Sequence, residues 1–350
     1  MLKNLAYAAL FFSGAVRLAY WLNRDRQVVV TYHNILPDRM LDDSLHAMEV
    51  HAASVFERQL RVITQRFRVT TELGRPGTCI VTFDDGYCNN FDIARPLLAR
   101  HDALAYFFVP LSIAETGETL WVDKFRLWLG AAPAGRYELL GTSFGLGDAA
   151  SRHDAAGALW RLVEADYHNH RLILDAMDEV HPFESLPIDT QLRRLRYGGM
   201  TREELRSLAR SGHRVGAHSH RHDILSRLSD ADLERDFAAC ARQMGKLYTT
   251  PVYAYPFGGA EHLDDRVIAG CARAGFTAAF IYLPDLDGTF MRPGPFTIAR
   301  LTLPNTANRF AIDAKLSGAE AMLKAVLRSM RGCLRVAGRK PLPHYPQPQA

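Results

Sequence analysis

The sequence predicts an α/β fold built on parallel strands. Short apolar runs rich in β-branched and aromatic residues recur along the chain, and helically spaced segments lie between them. Acidic and histidine clusters fall directly after such runs, where parallel α/β folds place their chemistry.

The first run, Val28-Val29-Val30-Thr31-Tyr32, stops at His33-Asn34 and a turn at Pro37, and reads as a buried strand. Phe56 to Phe67 has helical spacing. Cys79-Ile80-Val81-Thr82-Phe83 is the next strand and ends at Asp84-Asp85-Gly86, so the acidic pair sits at its C-terminal end. Ile93 to Arg100 reads as a helix and Ala105 to Val109 as a third strand. From Trp121 to about Arg196 the rhythm gives way to Gly/Ala-rich turns and two helical stretches, Ala156 to Tyr167 and His170 to Val180, which reads as a helical insertion. The α/β rhythm resumes at Thr201, with Glu203 and Glu204 in the first turn of a helix. The strand Arg214 to Ala217 leads straight into His218-Ser219-His220-Arg221-His222. A helix capped around Ser229 runs to about Leu247, and the strand Val252 to Tyr255 ends in Pro256-Phe257-Gly258-Gly259. A helix at Val267 to Ala274, a strand at Ala278 to Tyr282 and a last strand at Thr297 to Leu301 follow. The organisation expected is an N-terminal segment 1–26, a main domain 27–310 carrying the insertion 121–196, and a C-terminal segment 311–350.

With 350 residues, 48% of them hydrophobic and 23% charged, the chain can bury a sizeable core. The formal charge of +4 is mild and no Lys/Arg block tracks through the central region, which argues against nucleic acid as a partner. The five cysteines, Cys79, Cys88, Cys240, Cys271 and Cys333, are odd in number and form no C-x-x-C pair, so neither a disulfide framework nor a zinc-thiolate site is expected. A reducing compartment fits that pattern.

Both ends carry apolar and basic residues together. Leu5 to Val16 is apolar except for Ser13-Gly14, and Arg17 separates it from Leu18 to Leu22; the uninterrupted part is too short to span a bilayer. Three readings stand: a signal peptide cleaved near Ser13-Gly14-Ala15, a helix on the membrane surface with Arg17, Arg24 and Arg26 toward headgroups, or a helix packed on the domain. Gly318 to Val336 places Leu323, Leu327, Met330 and Leu334 at helical spacing beside Lys324, Arg328, Arg331 and Arg335, as a membrane-surface helix or a docked helix with a basic face would. Location in the cytoplasm, at the membrane periphery or, by way of a signal peptide, outside the cell follows from which reading holds. Pro341 to Gln349 is a Pro-rich tail.

Two adjacent carboxylates at a strand end raise one another's pKa unless a cation compensates. A divalent metal resolves the conflict if one aspartate binds it and the other remains a base. His218 and His222 lie at i,i+4, which on one helical turn lets both rings bind one ion. One carboxylate with two imidazoles leaves positions open for water and substrate, the pattern of a catalytic and not a closed structural site. Such a ligand set accepts zinc foremost, and also cobalt, nickel or iron.

Taken in order, Val81-Thr82-Phe83-Asp84-Asp85-Gly86-Tyr87, His218-Ser219-His220-Arg221-His222 and Tyr255-Pro256-Phe257-Gly258 resemble the polysaccharide deacetylase family, the NodB-homology or carbohydrate esterase 4 group. The resemblance runs from about Val29 to Leu301 apart from the insertion. It implies a deformed (β/α) barrel of about seven parallel strands with a helical insertion, and removal of N-acetyl groups from an amino-sugar glycan in exopolysaccharide or cell-envelope biosynthesis. It implies Asp85, His218 and His222 as metal ligands and Asp84 as general base, with Tyr87, Tyr255, Pro256, Phe257 and Arg300 around substrate and oxyanion. Acetate and a free amine would be the products.

Two departures from the family pattern stand out. Relatives carry an arginine before the Pro-aromatic pair to orient the catalytic aspartate; here that position is Ala254, and Arg300 is the candidate to replace it from another strand. The late Leu-x-x-His motif that supplies the acid is Leu301-Thr302-Leu303-Pro304, without histidine, which leaves His33, His220 and His262 as candidates. Two alternatives follow: a deformylase or other non-peptide amidohydrolase on a small substrate, and a catalytically silent carbohydrate-binding or membrane-associated scaffold. The four costly polar groups Asp84, Asp85, His218 and His222 argue against the scaffold.

Overall fold

Neighbouring strands in this chain are buried on both faces, which is why they read as continuous apolar runs without polar alternation. The structure is a computed structural model that describes residues 2–41, 50–282 and 294–327. Its centre is formed by β1 (Val28–Tyr32), β2 (Thr78–Phe83), β3 (Ala105–Val109), β4 (Arg214–Ala217), β5 (Val252–Ala254), β6 (Ala278–Tyr282) and β7 (Ile298–Thr302). Each pairs in parallel with the next, and β7 pairs with β1 through Val30 opposite Leu301, closing a barrel of 7 strands. A short strand, Arg68–Val69, adds to the outside of this ring beside β2.

Strand alternation sorts the core into two layers. Val29, Ile80, Tyr106, Phe108, Val252, Ala254, Ala278 and Phe280 form one cluster, the barrel filling. The residues between them, including Val30, Val81, Phe83, Phe107, Val215, Tyr253 and Ile281, join the larger cluster shared with the surrounding helices. Gly216 has no side chain because a Cβ there would lie 2.6 Å from the Phe108 ring and 2.7 Å from the Val252 carbonyl. The missing side chain makes room for an aromatic floor.

The helices follow local chemistry. Thr201 and Glu204 form a reciprocal capping box at the start of Arg202–Arg210, and Ser229 caps Asp230–Ala241. That second helix ends at Ala241 and not near Leu247, because the chain then turns through Gly245 at φ 74°. The insertion is richer than two helices. Trp121–Ala131, the hairpin Gly135–Leu139 with Thr142–Leu146, Ala149–Ala165, Asn169–Val180 and Thr190–Tyr197 gather around their own hydrophobic cluster. At its centre Trp128 is fully buried and its Nε1–H donates to the Met177 carbonyl at 2.7 Å.

At the N-terminus, Leu2–Phe12 and Ala15–Leu22 are two helices bent by 69° at Gly14, which adopts φ 82°. Val16 and Ala19 pack on Ala314 and Ala319, against the helix Arg309–Leu316 and the segment 319–327 after it. No single helix among the described residues is long and apolar enough to cross a membrane. The expected C-terminal helix Gly318 to Val336 is described only to residue 327; its remainder, Cys333 and the Pro-rich tail lie outside the described residues.

Candidate active site

Alternation along β2 sends Thr82 and then Asp84 to the barrel interior, and alternation along β7 does the same for Arg300. The two meet. Arg300 Nη1 donates to Asp84 Oδ1 at 2.7 Å and Nη2 to Oδ2 at 2.6 Å, a bidentate pair in which Arg300 is 0% and Asp84 1% exposed. The guanidinium is held from below as well, over the Phe108 and Phe280 rings at 5.9 and 5.7 Å, with Nη1 donating to Thr82 Oγ1 and Nε to the Ile281 carbonyl, both at 3.3 Å. Burial alone would raise the Asp84 carboxyl, but Arg300, His218 and His33 together hold the group below the usual carboxylate range. Arg300 thus pairs with Asp84 from β7, whereas position 254 is an alanine in the barrel filling and offers no cation.

Asp85 should point the other way, as the next residue in an alternating strand does. It does not, because Asp85 and Gly86 both adopt left-handed backbone, at φ 70° and 69°, and the chain turns back toward the barrel mouth. Gly86 is required twice over, since a Cβ there would also lie 2.6 Å from Val109 Cγ1. The histidines arrive by a loop and not by a helix, contrary to the i,i+4 helical turn expected of them. His218 continues β4, Ser219 and His222 adopt φ 61° and 59°, and the His222 N–H donates to Ser219 Oγ at 2.7 Å. The loop is clamped further by the Leu111 and Ser112 N–H groups, which donate to the Ser219 and His220 carbonyls. Of the six non-glycine residues with positive φ among the described residues, four, Asp85, Ser219, His222 and Phe257, surround this site, so the backbone strain is concentrated where side chains converge.

Their convergence leaves one centre of unmatched lone pairs. Asp85 Oδ1 lies 3.1 Å from His222 Nε2 and 3.3 Å from His218 Nε2, yet makes no hydrogen bond. His218 Nδ1–H donates to the Ala254 carbonyl at 2.7 Å, the tautomer that turns the Nε2 lone pair toward Asp85. All three side chains are buried, and their ligand atoms lie within 4.8 Å of one another. Ligands of one tetrahedral ion with bonds of roughly 2.0–2.1 Å are about 3.3 Å apart, so the separations suit a single cation. Burial works against charge on Asp85, but the two histidines outweigh it and its carboxyl falls well below the ordinary range.

The other residues expected at the site divide. His33 is brought to it, with Nε2 3.8 Å from Asp84 Oδ2. Phe257 stands against His222 on one side and His262 on the other, with ring centroids 5.1 and 5.3 Å away. Its backbone N–H has no hydrogen-bond partner among the described residues. His220 is turned away, toward Glu115 at 3.9 Å, while its own N–H is held by Asp236. Tyr255 and Tyr87 also do not line an open face. Tyr255 follows Tyr253 into the strand–helix layer, 5.4 Å away, and the Tyr87 hydroxyl is buried, donating to Asp123 Oδ2 at 2.6 Å. Pro256, buried like Tyr255, leads the chain into the Phe257 turn.

The insertion supplies residues that no local motif announced. Trp121 Nε1–H donates to the carbonyl of His222 itself at 2.9 Å, and its ring stacks on Trp160 at 6.0 Å and meets Phe257 at 6.0 Å. Tyr167 donates to Asp223 Oδ1 and accepts the Ile224 N–H, both at 2.9 Å. The left-handed histidine is thereby fixed from outside the barrel. Asp123, partner of Tyr87, has its carboxyl pushed up to about 6 by burial.

Residues 136–279 match the family model described as polysaccharide deacetylase, a span that takes in His218, His222 and Tyr255–Phe257 and begins beyond Asp84-Asp85. Solved structures to which the chain is similar include the Streptococcus pyogenes deacetylase PplD in complex with acetate, 13% identical at a TM-score of 0.49 over 85% of this chain and 96% of that one. IcaB from Ammonifex degensii is 18% identical at 0.47 over 83% and 97%, and the BpsB deacetylase domain from Bordetella bronchiseptica 16% at 0.41 over 80% and 97%. No curated protein matches the sequence.

Proposed function

We propose that the chain, which matches the polysaccharide deacetylase family model over residues 136–279, is a metal-dependent de-N-acetylase of the NodB type, acting on an amino-sugar glycan in exopolysaccharide or cell-envelope biosynthesis. The observation that carries the reading is the buried Asp85–His218–His222 centre, with its orphaned Oδ1, beside an aspartate locked by Arg300. Asp85, His218 and His222 are the residues that would hold a divalent ion, zinc foremost. When bound, such an ion supplies Lewis-acid polarisation of an acetamide carbonyl and of a water.

The chain's own groups do the rest. Asp84, kept ionised and aligned by Arg300, accepts a proton from the attacking water. The Phe257 N–H is the donor for the oxyanion that forms on the former carbonyl. We assign protonation of the leaving amine to His33, because it lies beside Asp84 whereas His220 faces Glu115. Acetate and the free amino sugar leave.

Acetate release from N-acetylglucosamine oligomers, measured with the metal content of the same sample, tests the reading. Turnover is expected to vanish on chelation and to return with a divalent ion. Asp84→Asn should retain metal and lose turnover, and His218→Ala should lose metal. Full activity in metal-free protein overturns the proposal.

A further inference from the structure

Thirteen large hydrophobic side chains are exposed among the described residues, and nine of them belong to three neighbouring helical segments: Leu5, Phe12, Leu18, Trp21 and Leu22 at the N-terminus, and Met322, Leu323, Val326 and Leu327 in 319–327. Single exposed leucines need no explanation; a concentration of this kind does. The segments touch. Tyr7 donates to Glu320, Phe11 and Phe12 pack on Phe310 at 5.0 and 5.4 Å, and Val16 and Ala19 meet Ala314 and Ala319. Within Ala15–Leu22 the burial is one-sided: Val16 and Ala19 face the domain, while Leu18, Trp21 and Leu22, at i, i+3 and i+4, face away.

Arg17, Arg24 and Arg26 are exposed beside this apolar face, and the Arg24 guanidinium lies 4.9 Å from the Trp21 ring centroid. An indole and cations bordering an apolar stripe are the make-up of a surface seated at the headgroup boundary of a bilayer. The helices are unsuited to crossing one. Their 69° bend leaves two arms of about 16 and 12 Å, against a hydrocarbon core of about 30 Å. A second copy of the chain is disfavoured as the occupant, since a twofold contact would set the same arginines against each other.

We propose that the face formed by Ala15–Leu22, the helix Leu2–Phe12 and segment 319–327 docks in the plane of an anionic lipid surface, holding the enzyme at a membrane without crossing it. The proposal stands apart from the deacetylase chemistry, because none of its residues lies in the catalytic centre. Co-sedimentation of the full chain with vesicles of phosphatidylcholine, with and without phosphatidylglycerol, tests it. Strong binding to the anionic vesicles is expected, weakened by salt. The exposed double variant Leu18→Ser/Trp21→Ser should lose most of it, and Arg17→Gln/Arg24→Gln/Arg26→Gln should lower partitioning about a hundredfold. Far-ultraviolet circular dichroism and thermal melting confirm that both variants are folded, independently of any activity. Failure to bind either vesicle, binding unchanged in folded variants, or a self-association that the same substitutions abolish overturns the proposal.

Discussion

Asp84 has both carboxylate oxygens bound by Arg300, whereas Asp85, the next residue, keeps Oδ1 without a hydrogen bond between two imidazoles. One carboxylate is finished by the protein and the other is left open. The difference follows from which elements meet them. Asp84 directly follows a strand and faces a strand residue fixed by barrel register; Asp85 begins a left-handed turn and faces a loop. Barrel strands hold the charge that Arg300 pairs, and strained loops gather lone pairs that could take a ligand.

The closed side of this comparison breaks at Arg300. Arg300→Met leaves Asp84 buried beside no guanidinium and is expected to cost about 3–5 kcal/mol in urea unfolding. Asp84→Asn/Arg300→Met should recover much of that loss while remaining inactive. A double-mutant cycle without coupling would mean the pair is incidental.

A histidine at the other end of β4 sharpens the contrast between a side chain that only holds structure and one whose lone pair is left open. His213 precedes the strand as His218 follows it, but its Nδ1 accepts the Ala105 N–H at 3.2 Å, and burial pushes its pKa from 6.5 down to about 4. Because the folded value lies below the unfolded one, the unfolded chain takes up the proton first. Stability is therefore complete above about pH 6.5 and is lost as pH falls toward 4, by about 3 kcal/mol from this group. Unfolding curves of His213→Asn should show a flatter pH dependence across that window.

The open side depends on support from the insertion. Trp121→Phe keeps the ring stack and removes only the donor to the His222 carbonyl; divalent-ion affinity, measured by competition with a chelating dye, should fall about 10–100-fold with the fold intact. Tyr167→Phe, one residue further from the ligand, should cost about 1 kcal/mol of stability and change affinity less. Equal effects from the two would mean that the loop is held as a whole and not at His222.

Much of this was legible beforehand. The strand ends at Phe83 and Ala217 could be read from pattern, and the strand read as Val252 to Tyr255 stops one residue earlier, at Ala254. Local pattern misled in two places. Spacing suggested a helical turn for His218 and His222, and only φ values near 60° at Ser219 and His222 show how a loop brings them together. Tyr87 and Tyr255 lie within the motifs, yet Asp123 and the strand–helix layer take their side chains. A parity count from Asp84 would have found Thr82; no local signal marks Phe108, Trp121 or Tyr167.

By itself the sequence determined where strands end and which polar groups stand at those ends, because apolar periodicity and turn residues act over a few positions. Tertiary structure decided which of those groups meet. Arg300 reaches Asp84 across 216 residues and Trp121 reaches His222 across 101, through barrel closure and the docking of a separate core. Partners so distant are selected by packing and register, which no local window contains.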